Sequence, residues 1–308
     1  MIVFATPIYF RRFIKSLRVR YPDIVVGEFE FSRFGNGELH ARVYDNVSGQ
    51  DCIIISTLAP PDEQLLSLLM LANALKRSGA NSIKAFLPYL SYARQDKFNR
   101  GESGGIALVG SLLKSSGIDE VITIDVHSEL DKQLIGLPLT SLSSAQLFNS
   151  AIQKLEWNDI TIVAPDEGAI NRAQRVAAMI NSTRSVAHLV KKHDDGIMHL
   201  NLIGDVSKRV VIVDDIIDSG QTLVSACNIL RDREVQEIAI VVTHGLFTGD
   251  AWTQLFELGV KTLVVSDSCP EVVKQKHQNI QVISITPLLP AVMPEEAMKE
   301  KHFENTVT

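Results

Sequence analysis

An α/β fold is predicted, with two similar domains, each a mainly parallel sheet flanked by helices. Three observations predict it. Apolar, β-branched runs alternate with helical patterns along the chain, as strands buried on both faces by helices require. The pattern recurs: each half shows strand, helix, strand, and a polar loop at the carboxyl end of a strand. The 308 residues suit about two domains, each large enough to bury its own core.

Strands are expected at 1–5, 52–57, 82–87, 121–125, 160–164, 210–213, 238–243, 262–266 and 282–285. Helices are expected at 63–76, 105–115, 167–180 and 222–231, and the first of these ends near Ser78 and Gly79. Segment 29–43 reads as an additional antiparallel hairpin, and 294–308 as a surface helix or frayed tail. The domains are placed at 1–145 and 146–308, joined near Ser143 to Phe148. Segment 8–20 carries five basic residues and no acid, as a transit peptide would, but a strand precedes it. It is read as the first helix of the fold, which favours a cytoplasmic protein.

Composition narrows the class. Hydrophobic content of 45% and charged content of 21% are those of a globular protein, and the net charge of −6 excludes a general nucleic-acid footprint. No apolar run approaches the roughly 18 residues of a membrane span. Cys52, Cys227 and Cys269 show no metal-ligand spacing and read as buried free thiols.

The most telling run is Arg209 to Thr222, a buried strand that empties into acids and a small-residue loop opening a helix. Backbone N–H groups of Ser219, Gly220, Gln221 and Thr222 can meet a phosphate at the positive end of the helix dipole. Asp214, Asp215 and Asp218 cannot serve the phosphate, since like charges repel. They suit the hydroxyls of a sugar attached to it, or a metal ion. An ordinary strand with an acidic cap is the common alternative. Three acids and Ser-Gly-x-Thr in nine residues make a sugar-phosphate pocket the better reading. Here the chain resembles the phosphoribosyl-diphosphate binding loop of the phosphoribosyltransferases.

Further motifs stand at other strand ends. Arg94 offers a fork of donors for a polyphosphate, and Gln95 can bond a base edge or ribose. Phe34 supplies a stacking face, while Asn36 and Glu38 can read an exocyclic amine. Each segment alone could be a surface loop or glycine turn. His127 and Asp166 follow expected strands; a helix cap is the plainer role for the acid.

Together these residues resemble the ribose-phosphate diphosphokinase family over most of the chain. Phe34-Gly-Asn-Gly-Glu38 matches its adenine element, although an Asp is usual where Asn36 stands. Tyr92-Ala-Arg-Gln-Asp96 matches its ATP element, Asp125-Val-His127 its metal element, and Pro165-Asp-Glu-Gly-Ala169 a further strand-end motif. Thr243-His244-Gly245 also fits. The resemblance implies two phosphoribosyltransferase-like domains, an ATP site of Phe34, Asn36, Glu38, Arg94, Gln95 and Asp96, and Mg²⁺ at His127 and Asp166. It implies a ribose 5-phosphate site of Asp214, Asp215, Asp218, Ser219, Gly220, Gln221 and Thr222. Lys191 and His193 fall on the family's catalytic hairpin, where Lys192 and His193 replace two arginines. The implied reaction makes phosphoribosyl diphosphate and AMP from ATP and ribose 5-phosphate, in a homo-oligomer, dimer or hexamer, with neither nucleic acid nor membrane as partner. A phosphoribosyltransferase, or a weakly active regulatory relative, are the alternative readings.

Overall fold

A computed structural model describes residues 1–95, 98–194 and 197–293. The expected tail at 294–308 lies outside them, as does Asp96. The first half runs β1 (Ile2–Ala5), α1 (Pro7–Arg20), β2 (Val25–Val26), β3 (Phe29–Arg33), β4 (Leu39–Val43), β5 (Asp51–Ile55), α2 (Glu63–Arg77) and β6 (Ser82–Phe86). It continues with α3 (Gly105–Ser116), β7 (Glu120–Ile124), α4 (Asp131–Leu134) and β8 (Leu139–Leu142). Its six-stranded sheet has the order β2-β1-β5-β6-β7-β8 and is parallel throughout. The expected hairpin is present as β3 paired antiparallel with β4.

The second half runs α5 (Ala145–Gln153), β9 (Ile160–Ala164), α6 (Ile170–Met179), β10 (Ala187–Asp194), β11 (Ile197–Ile203), β12 (Arg209–Ile217) and α7 (Gln221–Asp232). After it come β13 (Glu237–Gly245), α8 (Gln254–Glu257), β14 (Val260–Ser266) and β15 (Ile280–Ile283). The order β11-β10-β9-β12-β13-β14-β15 repeats that of the first sheet, with β11 added antiparallel at one edge. The chain is therefore two α/β domains with mainly parallel sheets flanked by helices.

Sequence explains the burial. The runs Cys52 to Ile55, Val210 to Val213 and Ile238 to Val242 are buried without alternation, as strands covered on both faces must be. Helix α2 turns Leu68, Leu71, Ala72 and Leu75 inward at helical spacing. Helix α1 buries Phe13, Ile14 and Leu17 against β1, so its basic residues belong to an amphipathic helix of the first domain. After β15 the chain returns: Ile285, Leu288, Leu289, Val292 and Met293 pack in the same cluster as Phe13, Ile14 and Leu17. The three cysteines are buried, and burial pushes the thiols of Cys227 and Cys269 up to about 12.

Of the element limits that differ from the sequence reading, two bear on the site. Strand β12 runs on through Asp214 and Asp215 to Ile217, because β13 pairs with it that far (Asp214↔Val242, Ile217↔Gly245). Helix α6 starts at Ile170 rather than 167, because the Ala169 N–H donates to Asp166 Oδ1 at 3.0 Å and the turn between them is not yet helical.

Candidate active site

The run from β12 into α7 builds the floor. Strand pairing carries Asp214 and Asp215 to the sheet's edge of order, and both are nine-tenths buried. Gly220 makes the turn into α7 with φ +86°, and a Cβ there would lie 2.7 Å from Trp252 Cα. Glycine is therefore required on both conformational and steric grounds. The open N–H groups of the first turn of α7 face a cavity of about 170 Å³. Arg94, His127, Asp166, Asp214, Asp215 and the whole of 218–222 line it.

Residues far apart in sequence meet here. Arg94 donates to Asp218 Oδ2 at 2.5 Å, and Thr248 Oγ1 donates to Asp218 Oδ1. Burial acts to raise the Asp218 carboxyl, but the Thr248 and Arg94 bonds outweigh it and hold it below the usual range. His127 Nδ1 lies 2.7 Å from Asp215 Oδ2. Behind the acids, the buried Arg172 guanidinium stands 3.6 Å from Asp215 and 3.9 Å from Asp214. The two neighbouring carboxyls consequently behave oppositely. Burial and the Asp215 charge push Asp214 well up, whereas for Asp215 the His127 bond and the Arg172 charge overcome burial and pull it down.

A larger cavity of about 550 Å³ adjoins this one and shares His127, Asp166 and Asp215 with it. Arg172 and Arg175 of α6 and Ser141 to Ser143 also line it. The donor set fits Mg²⁺. A carboxylate–histidine bond fixes a ligating imidazole, and Asp166 shares the cavity. Among the described residues no group of three or more His, Cys, Asp or Glu could enclose a metal. A small hard cation that keeps its waters and binds through substrate phosphates needs no such cage.

The structure thus brings together Arg94, His127, Asp166, Asp214, Asp215, Asp218, Ser219, Gly220, Gln221 and Thr222. It does not bring the adenine-element residues to them. Phe34, Asn36 and Glu38 are exposed at the β3–β4 tip and line neither cavity. There Asn36 Oδ1 accepts the Glu38 N–H at 3.2 Å, so the amide keeps the turn an aspartate would make. Gln95 is exposed after the Tyr92 turn and lines neither cavity. The backbone of Lys191 and His193 lies in β10, opposite Leu200 and Met198 of β11, and their side chains lie outside the described part. The resemblance took in Arg172-Ala173 and Thr248-Gly249 without giving either a role, and Ser144 stood only at the expected domain junction.

Fold and site define a class: a two-domain protein of phosphoribosyltransferase-like architecture with a strand-end cavity at the start of α7. Residues 14–117 match the N-terminal domain of ribose phosphate pyrophosphokinase, and residues 165–304 match the phosphoribosyl synthetase-associated domain. A ribose-phosphate pyrophosphokinase of Chromobacterium violaceum is 34% identical over 276 residues, 88% of this chain and 84% of its own. That of Campylobacter jejuni is 34% identical over 277 residues, 89% of each. The crystal structure of phosphoribosylpyrophosphate synthetase from Mycobacterium smegmatis superposes with a TM-score of 0.83 at 28% identity, covering 94% of this chain and 96% of that one. The chain belongs to the ribose-phosphate pyrophosphokinase family.

Proposed function

We propose that this protein transfers the diphosphoryl group of ATP to the anomeric hydroxyl of ribose 5-phosphate. The anomeric oxygen bonds to the β-phosphorus, the bond from that phosphorus to the α–β bridging oxygen breaks, and AMP leaves with that oxygen. One observation carries the reading: Arg94 and His127 of the first domain line the same cavity as the acids and phosphate-binding turn of the second. In it, 1–145 serves ATP and 146–308 serves the sugar phosphate, except that 285–293 pack back on the first domain.

The roles follow from chemistry. The turn 218–222 holds the 5-phosphate at the start of α7. Asp214 bonds a ribose hydroxyl, and Asp215 holds the His127 ring in place through its 2.7 Å contact with Nδ1. Arg94 takes a phosphate oxygen of ATP when substrate displaces its bond to Asp218. His127 and Asp166 would hold Mg²⁺, and the chemistry it would supply there is neutralisation of polyphosphate charge. Lys191 and His193 cover the transferring group, with Gln95 and Asp96 at the nucleotide. Catalysis of this kind is mostly positioning and charge stabilisation.

Phe34, Asn36 and Glu38 stand away from this cavity, which supports an adenine site completed by the hairpin of a second copy. The protein on this reading is a homo-oligomer, dimer or hexamer, working in the cytoplasm. Among the described residues no helix is long and apolar enough to cross a membrane.

Mixing purified protein with Mg-ATP and ribose 5-phosphate and following AMP tests the function. AMP formed in one-to-one ratio with phosphoribosyl diphosphate is the expected result. A nucleotide made from a base and phosphoribosyl diphosphate, or nucleotide binding without AMP, overturns it. His193→Arg should preserve or raise turnover.

A further inference from the structure

Residues of the second domain grip the first domain where His127 leaves its strand. Strand β7 ends at Ile124, and Asp125 then turns the chain with φ +41°, a conformation uncommon outside glycine. Asp125 Oδ2 accepts hydrogen bonds from Ser144 Oγ, from Ser144 N at 3.3 Å and from Thr243 Oγ1 at 2.7 Å. The next residue of β13, His244, is 3% exposed and places Nε2 3.0 Å from the Ile124 carbonyl oxygen. A third hold comes from Arg172, whose guanidinium donates to Val126 O at 3.4 Å. The Ile124–Val126 segment, one residue short of His127, is thus bonded to the other domain at three successive residues.

The bonds orient His244. A carbonyl oxygen only accepts, so Nε2 carries a hydrogen. Nδ1 lies 2.8 Å from Ser268 Oγ, which also donates to Thr243 O at 3.0 Å. The ring thus has a partner at each nitrogen. Burial opposes a second proton on it, and the Arg172 charge adds to that, against the nearby Asp215 and Asp125. The Tyr89 ring closes one side at a centroid distance of 5.0 Å.

We propose that His244 is a positioning residue for the diphosphoryl transfer: through Ile124 it sets where His127 stands relative to Asp215 and the sugar-phosphate turn. The inference rests on the functional reading above. Its logic is that two half-sites on separate domains must agree to within a fraction of an ångström, and rotation of one sheet against the other would spoil the agreement. A bond from β13, the strand beside β12, ties the His127 corner to the sheet that carries the turn.

The test compares His244→Gln, whose amide nitrogen reaches about as far as Nε2, with His244→Asn, which falls short of Ile124. Each is made with His127 intact and in a His127→Ala background. AMP formation should fall ~30-fold or more in His244→Asn, chiefly in kcat, with KM for ribose 5-phosphate within about twofold. His244→Gln should retain kcat to within about threefold, and His244→Asn should add less than about twofold once His127 is gone. Amide hydrogen exchange read by mass spectrometry should show lost protection across 121–128 in His244→Asn, with 209–217 unchanged. Equal losses in both variants, a full additional loss in the His127→Ala background, or unchanged exchange at 121–128 overturns the proposal. Wild-type protein that forms no AMP overturns the functional reading instead, and the exchange measurement still decides whether the grip exists.

Discussion

The segment from β5 through 56–62 into α2 occupies, in the first sheet, the place that β12, 218–220 and α7 occupy in the second. β5 is third in its sheet, β12 is third in the other once the added β11 is set aside, and both lead through a loop into a long helix. Only one makes a phosphate pocket. In the second domain a Ser-Gly-Gln-Thr turn leaves N–H groups open to a cavity. In the first, Pro60 and Pro61 have no N–H to offer, Leu58 and Ala59 fill the space, and Thr57 Oγ1 accepts the Ala59 N–H at 2.9 Å. Its acids are also occupied: Asp62 accepts from Tyr92 Oη, and Glu63 pairs with Arg33. The same scaffold thus carries a Ser-Gly-Gln-Thr turn in one copy and a proline-bearing loop in the other. Function resides in the loop chemistry, not in the scaffold.

Substitutions that separate the two copies test this contrast. The largest effect is expected from the charges behind each loop. Arg172→Met leaves Asp214 and Asp215 without their buried counter-ion and should cost about 3 kcal/mol in denaturant unfolding. Arg33→Met removes the half-exposed partner of Glu63 in the other copy and should cost less than about 1 kcal/mol. Equal costs would break the comparison.

Next come the turns themselves. Gly220→Ala forces a side chain against Trp252 at positive φ, and kcat/KM for ribose 5-phosphate should fall ~10²-fold. Pro61→Ala, in the matching loop, should leave KM for ribose 5-phosphate within about twofold. A smaller effect separates the paired acids. Asp215 contacts the His127 imidazole and Asp214 does not, so Asp214→Asn should retain about tenfold more kcat/KM than Asp215→Asn.

The smallest effect is a pH dependence of stability. The His244 value is lowered in the fold below its ordinary 6.5, chiefly by burial, so the unfolded chain binds more protons below that pH. The contribution is complete above about pH 6.5 and is lost as pH falls from there towards the folded value. Unfolding free energy should drop by at most ~1 kcal/mol between pH 7 and 6, and by less in His244→Gln. Stability that rises on acidification over that range would contradict the assignment of a neutral, doubly bonded ring.

Much of the fold was legible because buried parallel strands announce themselves as apolar runs: Cys52 to Ile55, Val210 to Val213 and Ile238 to Val242 needed no tertiary information. Strands with weak runs escaped. Leu139–Leu142 is an edge strand with two hydroxyl residues, Val25–Val26 spans two residues, and Ala187–Asp194 carries charge in its second half. The phosphate turn was legible for a local reason: Asp214 to Thr222 builds it from contiguous chain. The partners that finish the site were not, because they come from elsewhere. Arg94 meets Asp218 across 124 residues, and Ser144 meets Thr243 across 99. No periodicity marks such pairs. His127 was suspected from its strand end, but its bond to Asp215 is a tertiary fact.

The return of the chain after β15 has a mechanical consequence. The polypeptide passes from one domain to the other near Ser143 and Ser144, and passes back before Ile285 joins the cluster around Phe13 and Leu17. Two bodies tied by a single tether can swing in any direction. Two bodies tied by a pair of tethers behave like a door on two hinge pins, free to turn about the line through both and stiff in every other direction. The bonds at Ile124, Asp125 and Val126 stand against that remaining rotation, and Arg94 is held against Asp218.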